Sequence, residues 1–301
     1  MRSIRQTALA SIVAVAVFSS FLTTDSARAA DSSTESVTLS PTSKTYKVDA
    51  GQTFNDFLKV LNDGNVAYDF IVYGAPYSVS SGSYDPSYTS TASNADAYTW
   101  VQFKQTSWHA EPHETIRVPY TVYVKKNASP GGHYGVLFVE VQPSAASSGS
   151  TIVRKKRVGA VMYATVNGDV HLSGKAVGTN IGWFQSSAPL QATTSVENTG
   201  NSDFWAKVTY QVSDVFGAVK YTYQSDYAVL PSTTRDIPLS WENVPWFGLY
   251  KARVTTSFLD QTSMIESYVL VMPIWLVLLV GTAVVSGGIY AIWRPNHRAQ
   301  R

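Results

Sequence analysis

The sequence predicts an all-β chain, two tandem antiparallel Ig-like β-sandwiches, plus one C-terminal transmembrane helix. Three observations carry this. Apolar residues alternate with polar ones at period two, as in a half-buried strand: Tyr120, Val122 and Val124 alternate with Thr121, Tyr123 and Lys125. A turn motif recurs in each half, Asn62-Asp63-Gly64-Asn65 and Asn198-Thr199-Gly200-Asn201, each followed by a strand-like run. Residues 267–293 form 27 consecutive residues without a charge, which at ~1.5 Å per residue exceeds a ~30 Å hydrocarbon core.

In chain order, residues 1–29 read as a secretory signal peptide. Arg2 and Arg5 precede an apolar stretch over residues 8–22, and Ala27-Arg28-Ala29 is an A-x-A cleavage pattern. Residues 30–169 are assigned to the first sandwich, with strands expected over 68–73, 120–125, 134–141 and 158–166. Turn chemistry separates them at Ser129-Pro130-Gly131-Gly132 and Asn167-Gly168-Asp169. Residues 170–266 are assigned to the second sandwich, with strands expected over 204–212 and 250–258. Both halves also share a late Gly-x-Tyr, Gly132-His133-Tyr134 and Gly248-Leu249-Tyr250, which strengthens the internal repeat.

The membrane segment, 267–293, carries Tyr268, Trp275, Tyr290 and Trp293 towards its ends, as an aromatic belt would. The tail, 294–301, adds Arg294, His297, Arg298 and Arg301. The positive-inside rule then puts the tail in the cytoplasm and the bulk outside the cell membrane, crossed once. Inside the helix, residues 282 and 286, and 283 and 287, are small and four apart, the spacing at which a homodimer could pack.

Composition narrows the function. The chain of 301 residues has no cysteine, which excludes a disulfide scaffold, a thiol nucleophile and a cysteine metal site. The net charge of +2 argues against a nucleic-acid partner. Without Arg2, Arg5, Arg28, Arg294, Arg298 and Arg301, Lys+Arg falls from 23 to 17; without Asp25, Asp+Glu falls from 21 to 20. The exported part therefore carries about −3.

Short motifs add a resemblance. Pro130-Gly131-Gly132-His133-Tyr134-Gly135-Val136-Leu137-Phe138, the run 159–168, and Leu239-Ser240-Trp241-Glu242 ahead of Gly248-Leu249-Tyr250 resemble bacterial surface proteins with tandem PapD-like or Ig-like domains. The chain also resembles the WxL-interacting proteins of Gram-positive envelopes. That resemblance implies a signal peptide, two Ig-like domains, one membrane helix, a short basic tail and a binding role.

No catalytic constellation is legible. There is no G-x-S-x-G elbow, no phosphate-cradling glycine loop and no thiol, so neither an enzyme nor a cofactor is expected. His109, Glu111 and His113 would share one side of an extended segment, but Pro112 interrupts it, and no metal is expected. Arg154-Lys155-Lys156-Arg157 reads as a solvated run ahead of a strand.

The expected function is that of a membrane-anchored surface protein that recruits or presents another envelope component, with a cell-surface protein or wall polymer as partner. Its expected contact residues are Tyr77, Tyr84 and Tyr88 in a Ser/Tyr-rich insert, and the aromatic pairs Trp183-Phe184 and Trp246-Phe247. The alternative is a membrane-anchored hydrolase acting on cell-wall glycan.

Overall fold

The structure is a computed structural model that describes residues 35–142 and 156–293, apart from the side chains of 291–293. The expected signal peptide, the basic tail, the loop 143–150 and Arg154-Lys155 lie outside the described residues. In the first half the strands are β1 (Val37–Ser40), β2 (Ser43–Val48), β3 (Thr53–Asn62), β4 (Tyr68–Pro76), β5 (Ser78–Val79), β6 (Pro86–Ser87), β7 (Val101–Phe103), β8 (Ser107–Ala110), β9 (Thr115–Tyr123), β10 (Gly131–Val141) and β11 (Arg157–Val166). In the second they are β12 (Gly174–Ile181), β13 (Phe184–Gln185), β14 (Leu190–Asn198), β15 (Phe204–Asp214), β16 (Val219–Val229), β17 (Thr234–Trp241), β18 (Gly248–Phe258) and β19 (Gln261–Val271). One helix follows, α1 (Ile274–Trp293).

Each half is two sheets over one core. The first pairs β1-β3-β9-β7 with β2-β11-β10-β4-β8; the second pairs β12-β14-β17 with β13-β19-β18-β15-β16. Most neighbours are antiparallel, with β2 on β11 and β13 on β19 as parallel exceptions. Alternation does what period two demands: in β9, Ile116, Val118, Tyr120 and Val122 are buried, while Thr115, Arg117, Pro119 and Tyr123 face solvent. Leu58, Val60, Phe70, Val118 and Val139 centre one core, and Val196, Val208, Tyr210, Ile237 and Val254 the other.

The repeated turn has a physical cause. Asn62 and Asn198 are fully buried at strand ends. The Asn62 Oδ1 accepts from the Gly64 N–H at 3.0 Å, and its Nδ2 donates to the carbonyls of Val66 at 2.9 Å and Glu111 at 3.1 Å. Asn198 repeats this with the Gly200 N–H at 2.9 Å and the carbonyls of Ser202 at 2.9 Å and Val229 at 2.7 Å. The Gly-x-Tyr pair is equally local: each tyrosine folds back over the glycine two residues before it. A Cβ at Gly132 would stand 2.0 Å from the Tyr134 hydroxyl, and one at Gly248 2.6 Å from that of Tyr250.

Two expectations change. β10 does not alternate between core and solvent; it is buried on both faces. Leu137, Val139 and Val141 enter the first core, while Tyr134, Val136 and Phe138 lie under a second layer made by the Ser/Tyr insert. The uncharged run is also not one helix from residue 267. Residues 267–271 complete β19, hydrogen-bonded to β18 from Gly248↔Val271 onward, and the helix starts only after Pro273. Among the described residues no helix is long and apolar enough to cross a membrane. The described side chains of α1 stop at Tyr290, 17 residues in, or ~26 Å at ~1.5 Å each.

Candidate binding surfaces

The Ser/Tyr insert is a strap, with most of its aromatic content spent inside the molecule. From the end of β4 it runs back over the outer face of β10 and β11. Tyr77 is buried, 6.4 Å from the ring of Tyr163 and 6.4 Å from that of Tyr88, which meets Phe138 edge-on at 5.0 Å. The tip reaches the second sandwich. The Tyr84 hydroxyl accepts from the Leu230 N–H at 2.9 Å, and the Arg235 guanidinium lies 4.0 Å from the Tyr84 ring centroid. Gly82 donates to the Thr234 carbonyl at 2.8 Å and accepts from the Asp236 N–H at 2.9 Å, so the strap adds a short rung beside β17. Tyr84 holds this pose with φ of 60°, a left-handed conformation that costs a non-glycine residue free energy. Of the three residues expected as a contact surface, Tyr77 and Tyr88 therefore pack against β10 and β11, and Tyr84 reaches across to the second sandwich. Sequence could not show this, because the contacts span up to 154 residues, from Gly82 to Asp236.

Beside the strap lies a cleft of about 550 Å³, lined by Tyr77, Asn94, Tyr134, Asn201, Leu230 and Ser232 among others. A polar seam joins the sandwiches next to it, sharing Gly132, Tyr134 and Asn201 with the cleft lining. The Gly132 N–H donates to the Asn201 carbonyl at 2.9 Å, the Tyr134 hydroxyl donates to Asp203 at 3.0 Å, and Thr165 meets Ser202 at 3.1 Å. Burial raises the Asp203 carboxyl above the ordinary carboxylate value, although the Tyr134 hydrogen bond opposes it. Behind the seam, His133 is buried against Trp100 and paired to Asp96 at 2.6 Å, its other nitrogen 2.9 Å from the Ser129 carbonyl. Burial alone would lower the His133 pKa, but the Asp96 hydrogen bond and the Ser129 carbonyl outweigh it and hold it above the ordinary histidine value. Asp96 is held below its ordinary value by His133 and Lys125, against the pull of burial.

The other expected contact residues gather at the far end of the second sandwich. Trp183 is 73% exposed and leans on Phe184 at 5.5 Å; Trp246 is 64% exposed and leans on Phe247 at 5.9 Å. Register places both at the end where α1 begins: the Leu270 N–H donates to the Trp183 carbonyl, Phe184 pairs with Leu270, and Gly248 pairs with Val271. The sequence reading missed Phe216, 92% exposed at the tip of the β15–β16 hairpin and at this same end, since Asp214 pairs with Tyr250. Three exposed residues, Val215, Phe216 and Val219, around Gly217 were the available signal.

The histidine segment is a surface ion network. The ring of His109 bridges two carboxylates with opposite nitrogens, Nδ1 to Asp69 at 2.7 Å and Nε2 to Glu111 at 3.4 Å, while His113 occupies a left-handed turn position. Among the described residues no group of three or more acidic or histidine side chains is arranged to hold a metal ion.

No protein-family model matches the chain, and no curated protein matches it. Among solved structures it is similar to the class 5 fimbriae chaperone CfaA (TM-score 0.40, 10% identity, 77% of this chain and 99% of that one). It is also similar to the E. coli chaperone DraB (0.36, 14%, 78% and 97%) and to a PapD-like domain of human CEP192 (0.31, 19%, 45% and 87%). At such identities and scores these likenesses say nothing about what the chain binds or does.

Proposed function

We propose that the chain is a non-enzymatic, membrane-anchored protein of a bacterial cell surface that recruits or presents another envelope component. One observation carries the reading. The helix α1 has no polar face: Trp275, Leu278, Leu279, Val280, Val284 and Val285 point in all directions around its axis and all are exposed. An uncharged helix that, beyond its first turn, buries no side against its own protein needs an apolar surrounding. The part of α1 with described side chains covers ~26 Å at ~1.5 Å per residue, and the uncharged sequence continues to Trp293. Arg294, Arg298 and Arg301 follow, as expected for a cytoplasmic flank.

The binding role is supported by the shape of the body above that helix. The strap clasps the two sandwiches together, and the cleft of about 550 Å³ opens beside the clasp with a mostly polar lining. β16 is an 11-residue strand at the edge of its sheet, open on one side to backbone pairing with an extended partner segment. A cell-surface protein fits such an edge, and the motif resemblance to WxL-interacting proteins points to the same class of role.

The test is extraction of cell membranes with alkaline carbonate. The full chain is expected to stay in the pellet, and a chain ending at Met272 to be released. Release of the full chain would remove the anchor from this reading. Incubation of the purified protein with wall preparations is expected to liberate no soluble sugar; liberated sugar would favour the glycan hydrolase instead.

A further inference from the structure

We propose that the helix-proximal end of the second sandwich is a lipid-facing collar, seated among the headgroups of the outer leaflet. The inference rests on the membrane reading of α1 and goes beyond it: the folded body itself, and not only the helix, touches the bilayer.

Three separate loops bring large apolar side chains to this one end. The β12–β13 connection presents Trp183, the β15–β16 hairpin presents Phe216, and the β17–β18 connection presents Trp246 and Phe247. Their sequence separation shows that no single local feature produces the patch; the sheet register collects it, since Asp214, Gly248 and Leu270 all lie at the last rungs before the helix. Tyr268, also exposed, stands on β19 at the same end. The folded body buries none of these rings well, so their solvent exposure is a standing cost that a cover would remove.

The bilayer is the occupant that the surroundings favour. The patch is continuous with the helix: Trp246 stacks on Trp275, the second residue of α1, with centroids 6.5 Å apart and planes 18° from parallel. A surface joined to the first turn of a membrane helix lies at headgroup depth by geometry alone. Tryptophan is the side chain most favoured there, because its ring is apolar and its N–H can still meet water or phosphate. Most charge nearby is paired, although Glu242, in the loop of Trp246, is exposed and accepts a hydrogen bond from the Ser240 hydroxyl. Asp214 is tied to Lys220 at 3.0 Å and to the N–H groups of Phe216 and Ala218, and Glu266 is tied to both Lys251 and Arg253.

The natural absence of cysteine makes the test direct. Single variants Phe216→Cys and Phe247→Cys in the full chain, with Tyr123→Cys in the first sandwich as the distant reference, are labelled with a small fluorophore and reconstituted into phosphatidylcholine–phosphatidylglycerol vesicles. A lipid carrying a nitroxide on its headgroup is the quencher. Both collar labels are expected to be quenched at least about threefold more strongly than the Tyr123 label, as interfacial depth requires. Collar labels quenched no more than the reference, in a protein that resists carbonate extraction, would overturn the collar while leaving the anchor intact. A protein stripped by carbonate would overturn the anchor first. Collar labels shielded from aqueous iodide yet untouched by the lipid quencher would mean that protein covers the patch, and would likewise overturn the proposal.

Discussion

Asn62 and Asn198 do the same work in the two sandwiches: one side chain closes a turn with its oxygen and tethers neighbouring carbonyls with its nitrogen. Replacing either with Asp keeps the acceptor and turns the donor into an oxygen that faces buried carbonyls. Asn62→Asp and Asn198→Asp are each expected to cost about 3 kcal/mol or more, read as a lower urea midpoint. The residue scale also sets a pH dependence. His133 has a raised pKa, so its contribution to stability is complete below its ordinary value of 6.5 and is lost as pH rises through the folded value. Asp96 has a lowered pKa, so its contribution is present above 3.8 and is lost as pH falls through the folded value. The pair should stabilise most between roughly pH 4 and 6.5. Urea midpoints of the natural protein should fall as pH rises above 6.5, and the difference from His133→Gln should shrink over the same rise. A constant difference would show that the pair does not titrate as described.

Among the elements, the strap decides how the two sandwiches behave as one. Its tip makes one hydroxyl bond to Leu230, a cation–π contact with Arg235 and a backbone rung at Gly82. Tyr84→Phe removes only the acceptor and should cost about 1 kcal/mol. Tyr84→Ala also removes the ring under Arg235, and is expected to split a single calorimetric transition into two as the sandwiches uncouple. One unbroken transition in Tyr84→Ala would mean that the polar seam at Gly132, Tyr134 and Asp203 suffices alone. At this scale much was legible in the sequence. β11, β15, β18 and the end of β9 follow from alternation and turn residues, and the Asn turns and Gly-x-Tyr pairs marked the repeat because in each a side chain meets a glycine two residues away. The strap's destination was not legible. Its Ser, Gly and Tyr content suits a free loop as well as a buried clasp, and only the pairing of Gly82 with β17 decides between them. β10 misled for the same reason: a strand covered on both faces by distant segments loses its period-two signature. The start of the helix was misplaced because β19 ends in Tyr-Val-Leu-Val, as apolar as the helix that follows.

For the whole molecule, the order is helix, collar, second sandwich, clasp, first sandwich. Strands of 11 residues in the second sandwich span ~35 Å at ~3.3 Å per residue. In the proposed arrangement the cleft and the first sandwich therefore stand well clear of the headgroups, facing whatever the envelope presents. The collar and the cleft then lie at the two ends of the second sandwich, so substitutions at Trp183 or Phe216 should alter tilt without altering the cleft.

The clasp has one more consequence. Residues 167–173 supply the peptide connection between the sandwiches, yet the grip across them comes from a segment near position 84 and from hydrogen bonds at Gly132 and Tyr134. A protease nick in that connector would leave two fragments still gripping one another, so a chain cleaved there would go on migrating as an intact particle until denatured.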